Sequence, residues 1–428
     1  MSSPRPESTR RPGPEPRVTV SRREEAACAV TGNRAAPSLA GPEVFARSGT
    51  SALVRFRHRA PSVRAVALQV NGWWRPDPVD ACDLRPTGEG WWEGVVEVPS
   101  DWRASYGFVE HRGEGDPPWW SSGLKRPGAA VVPDAGEHRG HRAARGGARR
   151  SVIARPDDGP FSGVGRSDRS HDAAAGGAEP ALRLHALPSP GIDEAVRWWA
   201  ARPGDPGCEH LRGEEPLPLL VLTDGMQHAD LLGTPLLLRR GVAAGVLPPL
   251  AAVFVDSGPR RGDVLGVPGG HAQWIAETLL PRLQAEGLRP GPADRVSVTA
   301  DPSRVVVAGS SFGGLTALFA AARSPQRVGT AIAQSVSLWR YGEGALTAPL
   351  LAAARTAADG GSALRLRLQA GRYEGSMHSD AAALLEAVRA GAADALVPLD
   401  ERLDLCSGGH DWAWWQPEML HLLAELLR

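Results

Sequence analysis

The stretch that most constrains this chain is Arg304 to Arg323, RVVVAGSSFGGLTALFAAAR. Arg304 to Ala308 is a run of β-branched and small residues short enough for a buried strand. Leu315, Leu318, Phe319 and Ala322 then recur at helical spacing. Between them lies Gly309-Ser310-Ser311-Phe312-Gly313, a Gly-x-Ser-x-Gly pattern. A strand that turns sharply into a helix lifts the middle serine above a sheet, and the flanking glycines let neighbouring backbone pass close to it. A chain with 50 glycines produces such a pentapeptide by chance often enough. The strand before it and the helix after it are what make Ser311 a candidate nucleophile.

From Leu182 onward strands and helices alternate. Strands are expected at Ala195 to Ala200, Leu217 to Thr223, Ala251 to Val255, Val305 to Ala308, Thr330 to Gln334, Leu364 to Gln369 and Leu403 to Cys406. Helices are expected at Leu231 to Ala243, His271 to Glu286, Phe312 to Arg323, Glu343 to Ala358, Asp380 to Ala390 and Pro417 to Leu427. This βαβ rhythm predicts an α/β domain over residues 182–428, with a mostly parallel sheet covered on both faces. Ligands bind at the carboxyl ends of such strands, where Ser311, Asp224, Asp256, Glu374 and His410 all fall.

A serine hydroxyl needs a base, usually histidine, and the base needs an acid to orient it. In strand-turn-helix serine hydrolases the order is Ser, then Asp or Glu, then His. Of the twelve histidines, His410 alone follows the last strand with Gly408 and Gly409 making a tight loop before a terminal helix. Glu374 comes directly after the preceding strand and is the preferred acid. Asp380 is the alternative, although its place at the start of a helix is explained by N-capping. Asp404 lies within the last strand, and Asp411 is too near His410 in sequence to turn back onto its ring. An oxyanion hole needs two backbone N–H groups. One is expected from Phe312 and the other from Asp224-Gly225-Met226-Gln227-His228, with Met226 nominated and Gly225 in reserve.

The N-terminal half reads differently. Residues 1–39 carry too little apolar periodicity to offset ordering entropy and are expected to be flexible. Residues 40–132 alternate apolar and polar positions, as at Val54 and Phe56 or at Val66, Leu68 and Val70, with turns between. That pattern predicts a small antiparallel, immunoglobulin-like β-sandwich. The pairs Trp73-Trp74, Trp91-Trp92 and Trp119-Trp120 suggest that one indole of each covers a partner domain or a ligand. Residues 133–181 read as a linker with a short strand at Ser151 to Ala154. His138, His141 and His171 are too irregularly spaced there to argue for a metal.

Formal net charge is zero, which gives no electrostatic case for nucleic acid or an anionic membrane. Cys28, Cys82, Cys208 and Cys406 have no metal or redox spacing and read as reduced thiols. No leader or membrane-spanning run is evident, so a cytoplasmic location is expected.

With these residues in hand, the chain resembles the ferric enterobactin (enterochelin) esterase family from about Leu53 to the C-terminus. The resemblance rests on the order of several segments. They are Asp101-Trp-Arg-Ala-Ser-Tyr-Gly-Phe108, Leu222-Thr-Asp-Gly-Met226, Gly245-Val-Leu-Pro-Pro249, Phe254-Val-Asp256 and Glu277-Thr-Leu-Leu-Pro281. They continue with Val307-Ala-Gly-Ser-Ser-Phe-Gly-Gly314, Ala333-Gln-Ser-Val-Ser-Leu-Trp339, Ala370-Gly-Arg-Tyr-Glu374 and Gly408-Gly-His-Asp411. The resemblance implies an α/β-hydrolase fold, a Ser311–His410–Glu374 triad and hydrolysis of the ester bonds of a catecholate trilactone siderophore. It also implies substrate anchoring by Arg260, in a segment that matches the family only loosely, and by Trp339. No metal cofactor is implied, since iron would arrive with this small-molecule substrate. Two other readings remain: an esterase for feruloyl or acetyl sugar esters with the sandwich as a carbohydrate module, and a non-catalytic ligand-binding protein.

Overall fold

The computed structural model describes residues 41–47, 49–137, 140–142, 149–153, 159–161, 182–211, 215–289, 295–341 and 344–428. The expected flexible segment 1–39, with Cys28, lies outside them, as do His138, His171 and the side chain of His141.

Two antiparallel sheets form the N-terminal part. Its strands are β1 (Glu43–Arg47), β2 (Ser51–Arg59), β3 (Ala65–Val70), β4 (Arg85–Gly88), β5 (Trp91–Pro99), β6 (Ala104–His111), β7 (Val131–Val132), β8 (Gly140–Arg142) and β9 (Arg149–Ile153). One sheet runs β1-β2-β5-β4 and the other β3-β6-β9-β8, with β7 also paired to β6. The alternation in β2 buries Val54 and Phe56, which join Val66, Leu68, Tyr106 and Phe108 in one core. Part of the stretch expected to be linker therefore supplies two strands, β8 and β9, to the second sheet. The strand expected at Ser151 is β9, which starts two residues earlier at Arg149 and buries Val152 and Ile153, whereas β8 was not expected.

The tryptophan pairs differ among themselves. Trp119 and Trp120 lie in the one-turn helix Trp119–Ser122, not on a strand, and both indole N–H groups donate to Asp83, at 2.8 and 2.9 Å. Trp73 stacks on Trp102 at 5.1 Å and meets Tyr373 of the C-terminal part edge-on at 6.5 Å.

The C-terminal part contains β10 (His185–Leu187), β11 (Val196–Ala200), β12 (Leu219–Leu222), β13 (Ala251–Val255), β14 (Val305–Ser310), β15 (Thr330–Gln334), β16 (Leu364–Gly371) and β17 (Leu399–Cys406). They form one sheet in the order β10-β11-β13-β12-β14-β15-β16-β17. The six strands from β12 to β17 pair in parallel, whereas β10 and β11 run antiparallel at one edge. The short edge strand β10 has no apolar alternation to announce it.

The strand period of two sorts side chains between two cores. Val305 and Val307 face Leu315 and Leu318 of α2 (Phe312–Arg323), together with α3 (Thr347–Asp359) and α4 (Met377–Asp394). Val306 and Ala308 face the other layer, with Leu237 and Leu238 of α1 (Thr234–Ala243) and Leu420 and Leu423 of α5 (Trp412–Leu427). A strand buried on both faces is what a covered parallel sheet requires.

Two helix starts differ from expectation in how they are capped. Pro417 lies inside α5, which begins at Trp412 because Asp411 caps it by accepting the Ala413 N–H at 3.1 Å. Asp380 is not a cap either; Ser376 occupies that position, and its hydroxyl donates to Asp380 at 2.9 Å.

The shared acceptor of Trp119 and Trp120 gives a stability test. Asp83→Leu strands two indole donors and should cost about 2–4 kcal/mol. Asp83→Asn keeps one acceptor oxygen and should cost roughly half of that. Urea unfolding of the three proteins checks the order, and equal losses for the two variants would refute the clamp.

Candidate functional site

Ser311 occupies the turn between β14 and α2 with φ 60° and ψ −118°. This left-handed backbone is strained for a serine. The flanking glycines are required by packing. A Cβ on Gly309 would lie 2.2 Å from Thr223 Oγ1 and 2.6 Å from the Gly313 carbonyl carbon, and one on Gly313 would lie 2.3 Å from the same hydroxyl. The turn is thus pressed against the end of β12, whose residue Leu222 pairs with Ala308.

The loop after β12 is held by a buried carboxylate. Asp224, itself at φ 54°, accepts two hydrogen bonds from Arg261, at 2.6 and 2.7 Å, and one from Ser257 at 2.9 Å. Burial alone would lower the pKa of Arg261, but these bonds and the adjacent negative charge raise it above its ordinary value. Asp224 therefore fixes the loop, and Arg261 is the partner that sequence reasoning missed. Gly225 has no room for a side chain, since a Cβ would come within 2.6–2.8 Å of backbone from Phe254 to Asp256. Met226 opens the helical turn that follows. As first-turn residues, Met226 and Phe312 carry N–H groups with no acceptor inside their own helices.

Glu374 and His410 are brought together. His410 Nδ1 and Glu374 Oε1 are 2.8 Å apart; Glu374 is 1% exposed and His410 is 39% exposed. The other carboxylate oxygen accepts from the Gly371 N–H at 2.5 Å and from the Ser335 hydroxyl at 2.8 Å. Ser335, at φ 47°, in turn accepts from the Trp415 indole at 2.7 Å, and that ring stands edge-on to His410 at 4.6 Å. The acid is thus fully hydrogen-bonded on its buried side. Asp411 accepts the Ser105 N–H at 2.5 Å besides capping α5, so it is committed elsewhere.

Ser311 Oγ lies 3.1 Å from Ser337 Oγ, and its hydrogen bond is to that hydroxyl and not to His410. Ser335 and Ser337 both follow β15 and both are buried. Their alternate spacing in Gln334-Ser-Val-Ser337 was the available signal, without a partner to give it meaning.

Beside the Ser311 turn, Trp339 is 62% exposed and lies 5.8 Å from the Phe312 ring, over which the Arg340 guanidinium sits at 4.6 Å. Arg340 is steadied by the Gly262 carbonyl at 2.9 Å. Arg260 is exposed at the start of the one-turn helix Arg261–Val264. Among the described residues no group of His, Cys, Asp and Glu could hold a metal ion. No described helix is long and apolar enough to cross a membrane. Cys82, Cys208 and Cys406 are unpaired thiols, and burial pushes Cys82 up to about 12.

A family model described as a putative esterase matches residues 208–426, which include Ser311, Glu374 and His410. The chain belongs to this putative esterase family. Among curated proteins the chain is similar to the iron(III) enterobactin esterase of Dickeya dadantii, 27% identical over 303 residues, covering 66% of this chain and 63% of that protein. It is also similar to the iron(III) enterobactin esterase of Escherichia coli O6:H1, 27% identical over 238 residues, covering 55% and 54%. The matched region thus spans less than two-thirds of each curated relative. In fold the chain is similar to the enterobactin esterase from Shigella flexneri crystallised in the presence of enterobactin. That likeness has a TM-score of 0.63 at 21% identity, covering 90% of this chain and 95% of that one. The ferric enterobactin esterase from Salmonella typhimurium gives 0.62 at 21% identity, covering 94% and 98%. These likenesses establish a shared mixed α/β architecture.

The same loop predicts a pH response. His228 is buried, bonded through Nδ1 to Thr234 Oγ1 at 3.0 Å, and burial pushes its pKa down to about 4. A histidine lowered on folding leaves the unfolded chain binding the proton first. Stability is complete above about pH 6.5 and is lost as pH falls toward 4. Relative to His228→Gln, the native protein should lose on the order of 3 kcal/mol across that window. Urea unfolding at pH 7.5 and 4.5 measures it, and parallel pH profiles would contradict the assignment.

Proposed function

We propose that this esterase hydrolyses the ester (lactone) bonds of a catecholate trilactone siderophore, releasing its iron inside the cell. The observation that carries the reaction is the buried, fully hydrogen-bonded Glu374 paired with a half-exposed His410, on loops beside a strained serine turn. We read the eight-stranded sheet as an α/β-hydrolase sheet and the two antiparallel sheets as an immunoglobulin-like sandwich.

In this mechanism a rotation about Ser311 χ1 exchanges Ser337 for His410 as partner of the hydroxyl. Ser311 Oγ attacks the ester carbonyl while His410 Nε2 takes its proton. Glu374 holds the ring through Nδ1–H and stabilises the imidazolium. The N–H groups of Phe312 and Met226 receive the oxyanion, each worth about 3 kcal/mol by comparison with donor deletions. His410 then protonates the leaving alkoxide and activates the water that frees the acyl group.

The substrate class rests on three supports. The curated relatives are named iron(III) enterobactin esterases. Exposed Trp339 with Phe312 offers aromatic faces for catechol rings. Arg340 and Arg260 offer positive charge to a trianionic ferric complex. Iron enters as part of the substrate.

Ser311→Ala should reduce turnover of a ferric catecholate trilactone by at least about 10³-fold with little change in binding. Trp339→Ala should raise KM about tenfold and leave kcat nearly unchanged. Product formation is followed by mass spectrometry with a feruloyl sugar ester offered alongside. Cleavage of the sugar ester in preference to the trilactone would overturn the substrate assignment, and turnover by Ser311→Ala would overturn the nucleophile.

A further inference from the structure

We infer that the N-terminal part acts directly on the reaction, through Asn71, a positioning residue that sets the place of His410; the inference rests on the Ser311–His410 reading above. The loop from Ser407 to Asp411 is anchored residue by residue. Its Ser407 carbonyl accepts the Arg103 N–H at 3.1 Å, its Gly408 carbonyl the Tyr373 N–H at 3.0 Å, and its Gly409 carbonyl the Trp414 indole N–H at 2.5 Å. The His410 carbonyl accepts from Asn71 Nδ2 at 2.8 Å. The Asp411 carboxylate accepts the Ser105 N–H at 2.5 Å. Three of the five anchors come from the N-terminal part, and the one on the base itself is a side chain.

Asn71 is suited to this because it is itself fixed. Its N–H donates to the Ser105 carbonyl at 3.0 Å, and it sits at the end of β3 in a turn closed by the Trp73 N–H on the Val70 carbonyl at 3.1 Å. Gly72 follows at φ 99°, and a Cβ there would lie 3.1 Å from Gly409 Cα and 3.2 Å from Tyr373 Cβ. A Cβ on Gly409 would lie 2.6 Å from the Asn71 carbonyl oxygen. The two glycines allow backbone to meet backbone, which is the closest approach two domains can make. Two glycines before the base would otherwise leave it free to swing, and a misplacement of about 1 Å can cost about 10²-fold in rate.

The test uses the full chain and an alkyl fluorophosphonate, which needs the nucleophile and base but no particular substrate. Ser311 Oγ bonds to phosphorus, fluoride departs, and the serine proton passes to His410. Asn71→Ala should lower the limiting labelling rate about tenfold while leaving the half-saturating probe concentration unchanged. Asn71→Asp, which keeps the shape and loses the donor, should do the same. Arg103→Ala removes an ion pair to Glu418 across the same junction and keeps the backbone N–H that meets the Ser407 carbonyl; it should lower Tm and label at the native rate. Native-rate labelling by both Asn71 variants, or equal slowing by Arg103→Ala, would overturn the positioning role. A native chain that does not label at Ser311 would instead overturn the nucleophile reading on which it rests.

Discussion

The architecture depends on one close approach, that of the β14–α2 turn to Thr223. Gly309 and Gly313 both lack room for a Cβ because the same threonine hydroxyl fills it. This contact brings the loop after β12 alongside Ser311, so the first N–H groups of two helical segments come from neighbouring strands. The positive φ of Ser311 is tolerated because the surrounding structure over-determines it: β14 is buried on both faces, and the Ser311 N–H donates to the Gln334 carbonyl at 2.8 Å.

Charge is handled in two separate compartments. Asp224 is neutralised by the bidentate Arg261, which leaves no unpaired buried carboxylate beside the Ser311 turn. Glu374 is stabilised by neutral donors, Gly371 N–H and Ser335 hydroxyl, leaving its remaining oxygen for His410. Arg340, over the Phe312 ring, and the exposed Arg260 are cations outside these two compartments.

Much of this was legible in the sequence because local pattern and chemistry agreed. Strands such as Ala251–Val255 and Thr330–Gln334, and the helix Phe312–Arg323, coincide with their apolar runs. The proximity of Glu374 to His410 follows from chain order after parallel strands. What was not legible depended on long-range pairing. Strand β8 carries little alternation, β10 none, and Arg261 could not be told from Arg260 without the buried Asp224 to receive it. Pro417 read as a helix start because proline favours that place, yet Asp411 caps the helix earlier. Ser335 and Ser337 gained meaning only when β15, β16 and α5 placed Glu374, Ser311 and Trp415 beside them.

The two halves of the site differ in how firmly the sheet holds them. Ser311 follows β14, an interior strand paired on both sides, whereas His410 follows β17, which pairs only with β16 and is partly exposed along its length. Edge strands and the loops after them open at lower free energy than a sheet centre. A residue placed there, after two glycines, needs support from outside the sheet. The direction of that support is set by the turn after β3, where Asn71 and Gly72 meet Gly409 and His410. The contact between the N-terminal part and the C-terminal sheet thus falls where that sheet is least able to orient its own loop.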